Sequence, residues 1–283
     1  MGLKKLAVVG LGTMGAGIAQ TALPLGFDVV GIERDAEAGN AGRNRIAGGL
    51  DKFVRKGLMN AQEAHDALAR LTTSTDRSAI EGADVVVDAA FEDVELKKEL
   101  FRDFDRLASP TALLASNTST IPLVIMAAET TTPERVVGLH FFNPVPLMQL
   151  VEVITTPATS ESSVQAALDL AIALGKSPVV IKDNPGFIGN LLVVPLLLDA
   201  IRAYERGVAS MTDIDSVITL GFNHPMGPFA LADLIGLDIV HDMAARMYEE
   251  YRDPKYWPPT LLTQHVRLGQ LGRKTNRGFY TYD

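Results

Sequence analysis

The sequence predicts an α/β domain built on a mostly parallel sheet, followed by an all-helical domain. Three observations carry this prediction. Short apolar runs alternate with helical patterns from residue 6 to residue 181, and a glycine-rich turn joins the first run to the first helix. The strand signal then vanishes after Asn184-Pro185-Gly186, and the pattern is helical to about residue 267. Strands that alternate with helices form a parallel sheet covered on both faces. The domain boundary is expected near 184, giving one domain over 1–184 and a second over 185–283.

The elements follow in order. Leu6 to Val9 is apolar and closed by Gly10, a buried strand. Residues 14–25 are helical. Asp28 to Ile32 is β-branched and ends at Glu33. Residues 36–56 and 61–70 are two helices around a turn at Gly57 to Asn60. Asp84 to Asp88 is a strand, 94–108 an amphipathic helix rich in Glu and Lys, and Ala112 to Ala115 another strand. Val136 to Phe141 and Leu150 to Ile154 are two more strands. A helix over 161–174 ends near Gly175, and Pro178 to Ile181 is the last strand. In the second domain, Phe187 to Tyr204 is apolar nearly all round through Leu198. A helix without a polar face must be covered, by the first domain or by a second subunit, and a homodimer is expected.

Composition excludes several chemistries. There is no cysteine, which removes disulfides, thiolate metal sites and cysteine nucleophiles and fits a reducing compartment. The net charge is −8, whereas a nucleic-acid binder shows a basic patch. The apolar stretch from Leu191 to Leu198 contains Pro195 and is far shorter than the roughly 20 residues of a membrane span. The N-terminal apolar run is too short for a signal peptide and leads into the glycine turn. A soluble, cytoplasmic protein with no nucleic-acid or membrane partner is expected. The overall acidity leaves room for an anionic substrate at the local basic cluster of Lys52, Arg55 and Lys56.

Gly10-Leu11-Gly12-Thr13-Met14-Gly15 has the GxGxxG spacing, between a strand and a helix and with a second strand that ends in an acid. Gly10 permits the tight turn, Gly12 lets the backbone approach a pyrophosphate, and Gly15 lets helix and strand pack closely. The helix N-terminus offers free N–H groups and a positive dipole end to phosphate. Glu33, eighteen residues after Gly15, suits the adenosine ribose hydroxyls and repels a 2′-phosphate. That favours NAD over NADP, although Arg34 beside it could tolerate the phosphate. The first domain is therefore read as a Rossmann-type dinucleotide-binding domain.

Hydride transfer from an alcohol needs a base that titrates near neutral pH, which favours histidine. Of the five histidines, His65, His241 and His265 fall among polar residues in helices and are expected at the surface. His140 ends the apolar run from Val136, just before Asn143-Pro144, a position that suits chemistry at a strand end. Glu152 interrupts the apolar run Leu150 to Ile154. A carboxylate there is costly unless paired. Either it partners a histidine on a nearby strand, fixing its tautomer as the acid of a Ser-His-Asp triad does, or it lies on a solvent-facing edge strand. Ser116 to Thr120 either contacts nicotinamide and substrate or forms a capped turn. Asn190, alone in an apolar helix, either donates to a substrate carbonyl or satisfies a backbone group. No metal site is expected.

These stretches, with Gly10 to Gln20, Ala115 to Ser119, Leu139 to Pro144, Pro185-Gly186-Phe187, His224 to Pro228 and Gly278-Phe279-Tyr280, resemble the 3-hydroxyacyl-CoA dehydrogenase family, above all its short bacterial 3-hydroxybutyryl-CoA members. The resemblance spans essentially the whole chain. It implies an NAD-dependent enzyme that interconverts 3-hydroxyacyl-CoA, short-chain such as 3-hydroxybutyryl-CoA, and 3-oxoacyl-CoA, with S stereochemistry. It implies that His140 is the base, Glu152 its partner, and Ser119 and Asn190 the residues that orient substrate. It places Glu92, Lys97, Ser119, Asn143 and Lys274 around NAD with Gly10–Gly15 and Glu33. It also places the helical pair near Lys56 against coenzyme A, which agrees with the Lys52–Lys56 basic cluster as a phosphate site. The chain departs from the pattern at Leu191, where an arginine is usual, and near Gly49, where a serine is usual. An acyl-carrier-protein-bound or free 3-hydroxy acid is the alternative substrate. A catalytically inactive NAD-binding structural or sensor protein is the remote alternative.

Overall fold

A computed structural model describes residues 3–282. Two compact units emerge, Met1–Asp183 and Asn184–Asp283.

The first unit is an eight-stranded sheet. Its strands are β1 (Lys5–Val9), β2 (Asp28–Ile32), β3 (Leu71–Ser74), β4 (Val85–Asp88), β5 (Leu113–Ser116), β6 (Val136–Phe141), β7 (Leu150–Thr155) and β8 (Ser177–Lys182). They lie in the order β3-β2-β1-β4-β5-β6-β7-β8. The helices are α1 (Thr13–Ala22), α2 (Ala36–Arg55), α3 (Ala61–Ala69), α4 (Val94–Leu107), α5 (Leu123–Ala127) and α6 (Glu161–Ala173). β4, β5 and β6 are buried at every residue, the pattern of strands covered on both faces.

Two features depart from the sequence expectation. β3 was not anticipated: Leu71-Thr72-Thr73-Ser74 is short, polar and mostly exposed, and only its parallel pairing with β2 makes it a strand. β7 runs antiparallel to β6. The link from Phe142 to Gln149 is too short for a parallel crossover, which needs a dozen or more residues. This antiparallel pair sets His140 directly opposite Glu152.

The strand order reverses direction between β1 and β4, and loops at the carboxyl ends of strands flanking such a switch form a crevice. Leu11, in the loop after β1, is almost fully buried and fills a slot left by two glycines. A β-carbon on Gly31 or Gly42 would lie 2.5 or 2.4 Å from Leu11 atoms. α4 packs with Lys97, Leu100, Phe101 and Phe104 buried, an i, i+3, i+4, i+7 stripe headed by a lysine.

The second unit holds α7 (Gly189–Glu205), α8 (Met211–Ser216), α9 (Pro228–Ile235), α10 (Leu237–Tyr251) and α11 (Thr260–Arg267). Its core gathers Val194, Leu197, Leu198, Phe229, Val240 and Tyr256. The apolar α7 is not wholly covered in the single chain: Leu192 is exposed.

Candidate active site

The loop after β1 has the shape its glycines predict. Gly10 has φ +92°, and a β-carbon there would lie 2.6 Å from the Ala89 carbonyl oxygen. One on Gly15 would lie 1.8 Å from the Gly10 carbonyl oxygen, whereas one on Gly12 meets nothing within 4 Å. Gly12 and Thr13 therefore face open space at the start of α1, where the first N–H groups have no intrahelical acceptor. Both ends of the Leu11 peptide are pinned. Its N–H donates to Glu33 Oε1 at 2.6 Å, and its carbonyl accepts from Arg45 Nη1 at 2.8 Å. The exposed Arg34 guanidinium donates to Asp35 Oδ2 at 3.0 Å. An open glycine at a helix N-terminus, whose N–H groups donate, and a carboxylate at the end of β2, which accepts, fit the pyrophosphate and ribose hydroxyls of NAD.

Across the sheet, Glu152 is 2% exposed and His140 5%. β7 is an interior strand between β6 and β8, so the solvent-facing alternative for Glu152 does not hold. His140 Nδ1 lies 2.6 Å from Glu152 Oε2, and His140 Nε2 lies 3.1 Å from Ser119 Oγ. A carboxylate only accepts, so Nδ1 carries a proton, and in the neutral ring Nε2 is the acceptor. The Phe142 ring leans on the imidazole with centroids 4.8 Å apart. Asn117 Oδ1 accepts the Phe141 N–H at 3.0 Å, tying the loop after β5 to β6.

Ser116 to Thr120 is held from below by acids. Glu92 Oε1 accepts from the hydroxyls of Thr118 and Thr120 and from the N–H groups of Ser119 and Thr120. Burial pushes the Glu92 carboxyl up, but the Lys97 ammonium and these donors outweigh it and hold it below the ordinary glutamate value. Lys97 is 1% exposed, and its Nζ donates to Asp88 Oδ2 at 2.7 Å and lies 3.4 Å from Glu92 Oε2.

The basic cluster lines a cavity of about 610 Å³ that includes Thr13, Gln20, Arg45, Lys52, Lys56 and Asn143. The structure also accounts for the small residue at position 49. A β-carbon on Gly49 would lie 2.2 Å from Gln20 Oε1, so the Gln20 amide fills the space of the missing side chain.

Thus Ser119, His140, Glu152, Glu92 and Lys97 form one connected group, while Lys52, Lys56 and Asn143 share the cavity beside the glycine loop. Asn190 and Lys274 belong to the second unit. Asn190 is buried in the first turn of α7, and Lys274 Nζ donates to Asp238 Oδ2 at 2.6 Å. His65 is exposed and His241 half-buried. His265 is not a surface residue: it is half-buried against Phe279, and burial lowers its pKa. Sequence reasoning missed Asp88, Arg45 and Gln20. Asp88 had one signal, an acid that closes an all-valine strand.

Family models match both units. One described as 3-hydroxyacyl-CoA dehydrogenase, NAD binding domain, matches residues 5–184, and its C-terminal-domain counterpart matches residues 186–282. The chain is 44% identical to a 3-hydroxybutyryl-CoA dehydrogenase of Mycobacterium tuberculosis over 99% of both chains. It is 42% identical to human mitochondrial hydroxyacyl-coenzyme A dehydrogenase over 99% of this chain and 91% of that one. The crystal structure of (S)-3-hydroxybutyryl-CoA dehydrogenase from Ralstonia eutropha superposes with a TM-score of 0.93 at 39% identity over 99% of both chains. The glycine loop, the His–Glu pair and two full-length domain matches agree, and the chain belongs to the 3-hydroxyacyl-CoA dehydrogenase family.

Proposed function

We propose that this enzyme interconverts short-chain 3-hydroxyacyl-CoA, such as 3-hydroxybutyryl-CoA, and 3-oxoacyl-CoA with NAD. The observation that carries the reading is His140, held by Glu152 at Nδ1 and presenting Nε2 to Ser119. NAD, when bound along the glycine loop, supplies the hydride acceptor. Nε2 takes the proton of the substrate 3-hydroxyl as the C3 hydride leaves. Glu152 keeps Nδ1 protonated and stabilises the imidazolium that forms. Ser119 orients the hydroxyl, and Asn190 is assigned to the thioester carbonyl. Gly10–Gly15, Glu33, Glu92, Lys97, Asn143 and Lys274 are assigned to the cofactor. Lys52 and Lys56 are assigned to the coenzyme A phosphates, which favours the thioester over a free hydroxy acid. An acyl-carrier-protein thioester is the second reading, because the same lysines suit an acidic carrier.

Residues 1–184 then serve as the cofactor domain and 185–283 as the substrate and dimerisation domain. The second unit exposes Leu192, Val208, Val217, Leu220 and Phe222 in the single chain, and patches of this kind mark subunit contacts. We assign them to a homodimer. Light scattering that gives a monomer at micromolar concentration removes that assignment. No described helix is long and apolar enough to cross a membrane, which suits the cytoplasm as the working compartment. The decisive assay follows NADH absorbance with acetoacetyl-CoA, with NADPH in parallel. Rapid loss of NADH alone is the expected result. NADH binding without turnover would turn the reading to the carrier-protein or free-acid substrate.

A further inference from the structure

The ion pair of Asp88 and Lys97 lies outside the proton-transfer set, yet reaches it by two routes. Asp88 is fully buried at the end of β4. Its Oδ1 accepts the Ala90 N–H at 3.0 Å, and its Oδ2 accepts from both Lys97 Nζ and Ser116 Oγ at 2.7 Å. The first route runs from Lys97 to Glu92 Oε2, and Glu92 Oε1 holds the Ser119 N–H at 3.1 Å. The second runs through Ser116 Oγ, which accepts the Thr118 N–H at 3.1 Å. Both end on the loop that places Ser119 Oγ beside His140 Nε2.

We propose that Asp88 is a positioning residue for the reaction: it takes the closer contact with Lys97, which it shares with Glu92, and holds Ser116 against Thr118, and so fixes Ser119 at the base. The inference rests on the dehydrogenase reading above. Its physical content is a competition. A buried ammonium must keep a counter-charge. With Asp88 neutral, the nearest remaining carboxylate is Glu92, already committed to Thr118, Ser119 and Thr120. Drawing Glu92 toward Lys97 slackens that grip, and the Ser116 hydroxyl loses its acceptor at the same time.

The test is Asp88→Asn in the full-length enzyme. It reads kcat per NADH-binding site, KM for acetoacetyl-CoA, and the isotope effect with NADH deuterated at the transferred position. Counting NADH sites removes any loss of folded protein. Mispositioning of this kind lowers kcat by up to about 100-fold. The isotope effect should rise as hydride transfer becomes rate-limiting, with KM little changed. In a Glu92→Gln background, which already lacks the first route, Asp88→Asn should add no more than the fall expected of Ser116→Ala. Ser116→Ala, which cuts one route without leaving a buried charge, should give a smaller fall of the same kind. A merely structural Asp88 lowers the melting temperature and the number of NADH sites, but leaves kcat per site and the isotope effect at wild-type values. That result overturns the inference, as does full additivity with Glu92→Gln. If Asp88→Asn does not fold, an unchanged kcat and isotope effect in Ser116→Ala overturn it instead. A wild-type chain that binds NADH but leaves acetoacetyl-CoA untouched overturns the dehydrogenase reading as well.

Discussion

Two buried carboxylates, one in each unit, do opposite things. Glu152 in β7 is 2% exposed and Asp233 in α9 is 1% exposed. Asp233 accepts the N–H groups of Phe279 and Tyr280 at 3.0 and 2.9 Å and the Tyr282 hydroxyl at 2.9 Å. All its donors belong to the C-terminal segment, so it works as a clasp. Glu152 accepts from an imidazole whose other nitrogen faces a hydroxyl beside the cofactor loops. Burial marks both acids as paired. On the proposed mechanism, only the identity of the donor separates a fastener from half of an acid–base pair.

The largest effects test the Glu152 side. His140→Gln should lower turnover by roughly 10²–10⁴-fold, the share of a general base. Glu152→Gln should approach the upper end, about 10⁴-fold, because an amide can donate to Nδ1 and force the proton onto Nε2. NADH binding should stay near normal in both, as read by NADH fluorescence. Near-normal turnover in both variants would make Glu152 a clasp like Asp233.

Asp233→Asn should behave in the opposite way. An amide nitrogen facing N–H donors leaves buried groups unpaired, a loss of roughly 1–3 kcal/mol in unfolding free energy. Denaturant unfolding reads that loss, and kcat per folded molecule should hold. A fall in kcat per folded molecule would give Asp233 a part in the chemistry.

A smaller effect is expected at the cavity. Lys52→Ala with Lys56→Ala should raise KM for acetoacetyl-CoA roughly two- to fivefold, the size of exposed charge contacts. It should not change KM for acetoacetyl-N-acetylcysteamine, which lacks the phosphates. Equal effects on both substrates would move the lysines out of the phosphate site.

The smallest effect is alkaline. Burial, and after it the hydrogen bond to Asp233, pushes the Tyr282 phenol up to about 12. The folded pKa exceeds the unfolded value near 10, so this stabilisation is intact below about pH 10 and is lost as pH rises toward 12. Phenolate absorbance should show a tyrosine that titrates late, and Asp233→Asn should bring it forward. An unchanged titration would mean that burial alone holds it.

Much of this was legible in the sequence because it is local. The glycine loop is a contiguous string, and Glu33 is fixed by the length of one helix and one strand. Glu152 betrayed itself as the lone acid in an apolar run, and His140 as the polar end of another. Their direct opposition was not legible, since it depends on β7 reversing direction. The prolines and brevity of Phe142–Gln149 were the available sign. By its local pattern Lys97 is one more charge on a Glu- and Lys-rich helix, and only the family resemblance singled it out. Its burial depends on Asp88, nine residues back and on another element, a tertiary fact with no periodicity of its own. β3 was hidden for a like reason, because Thr72 and Thr73 carry no apolar pattern and the neighbouring strand defines them.

His140 and Glu152 are rungs of the same ladder, bound by the backbone pairing of β6 and β7. The residues around the cavity sit instead on helices and connecting segments. On the proposed assignment, variation can therefore remodel what the enzyme grips without disturbing how it moves a proton. A lineage built on this chain could drift from one acyl carrier to another while its acid–base machinery is inherited intact.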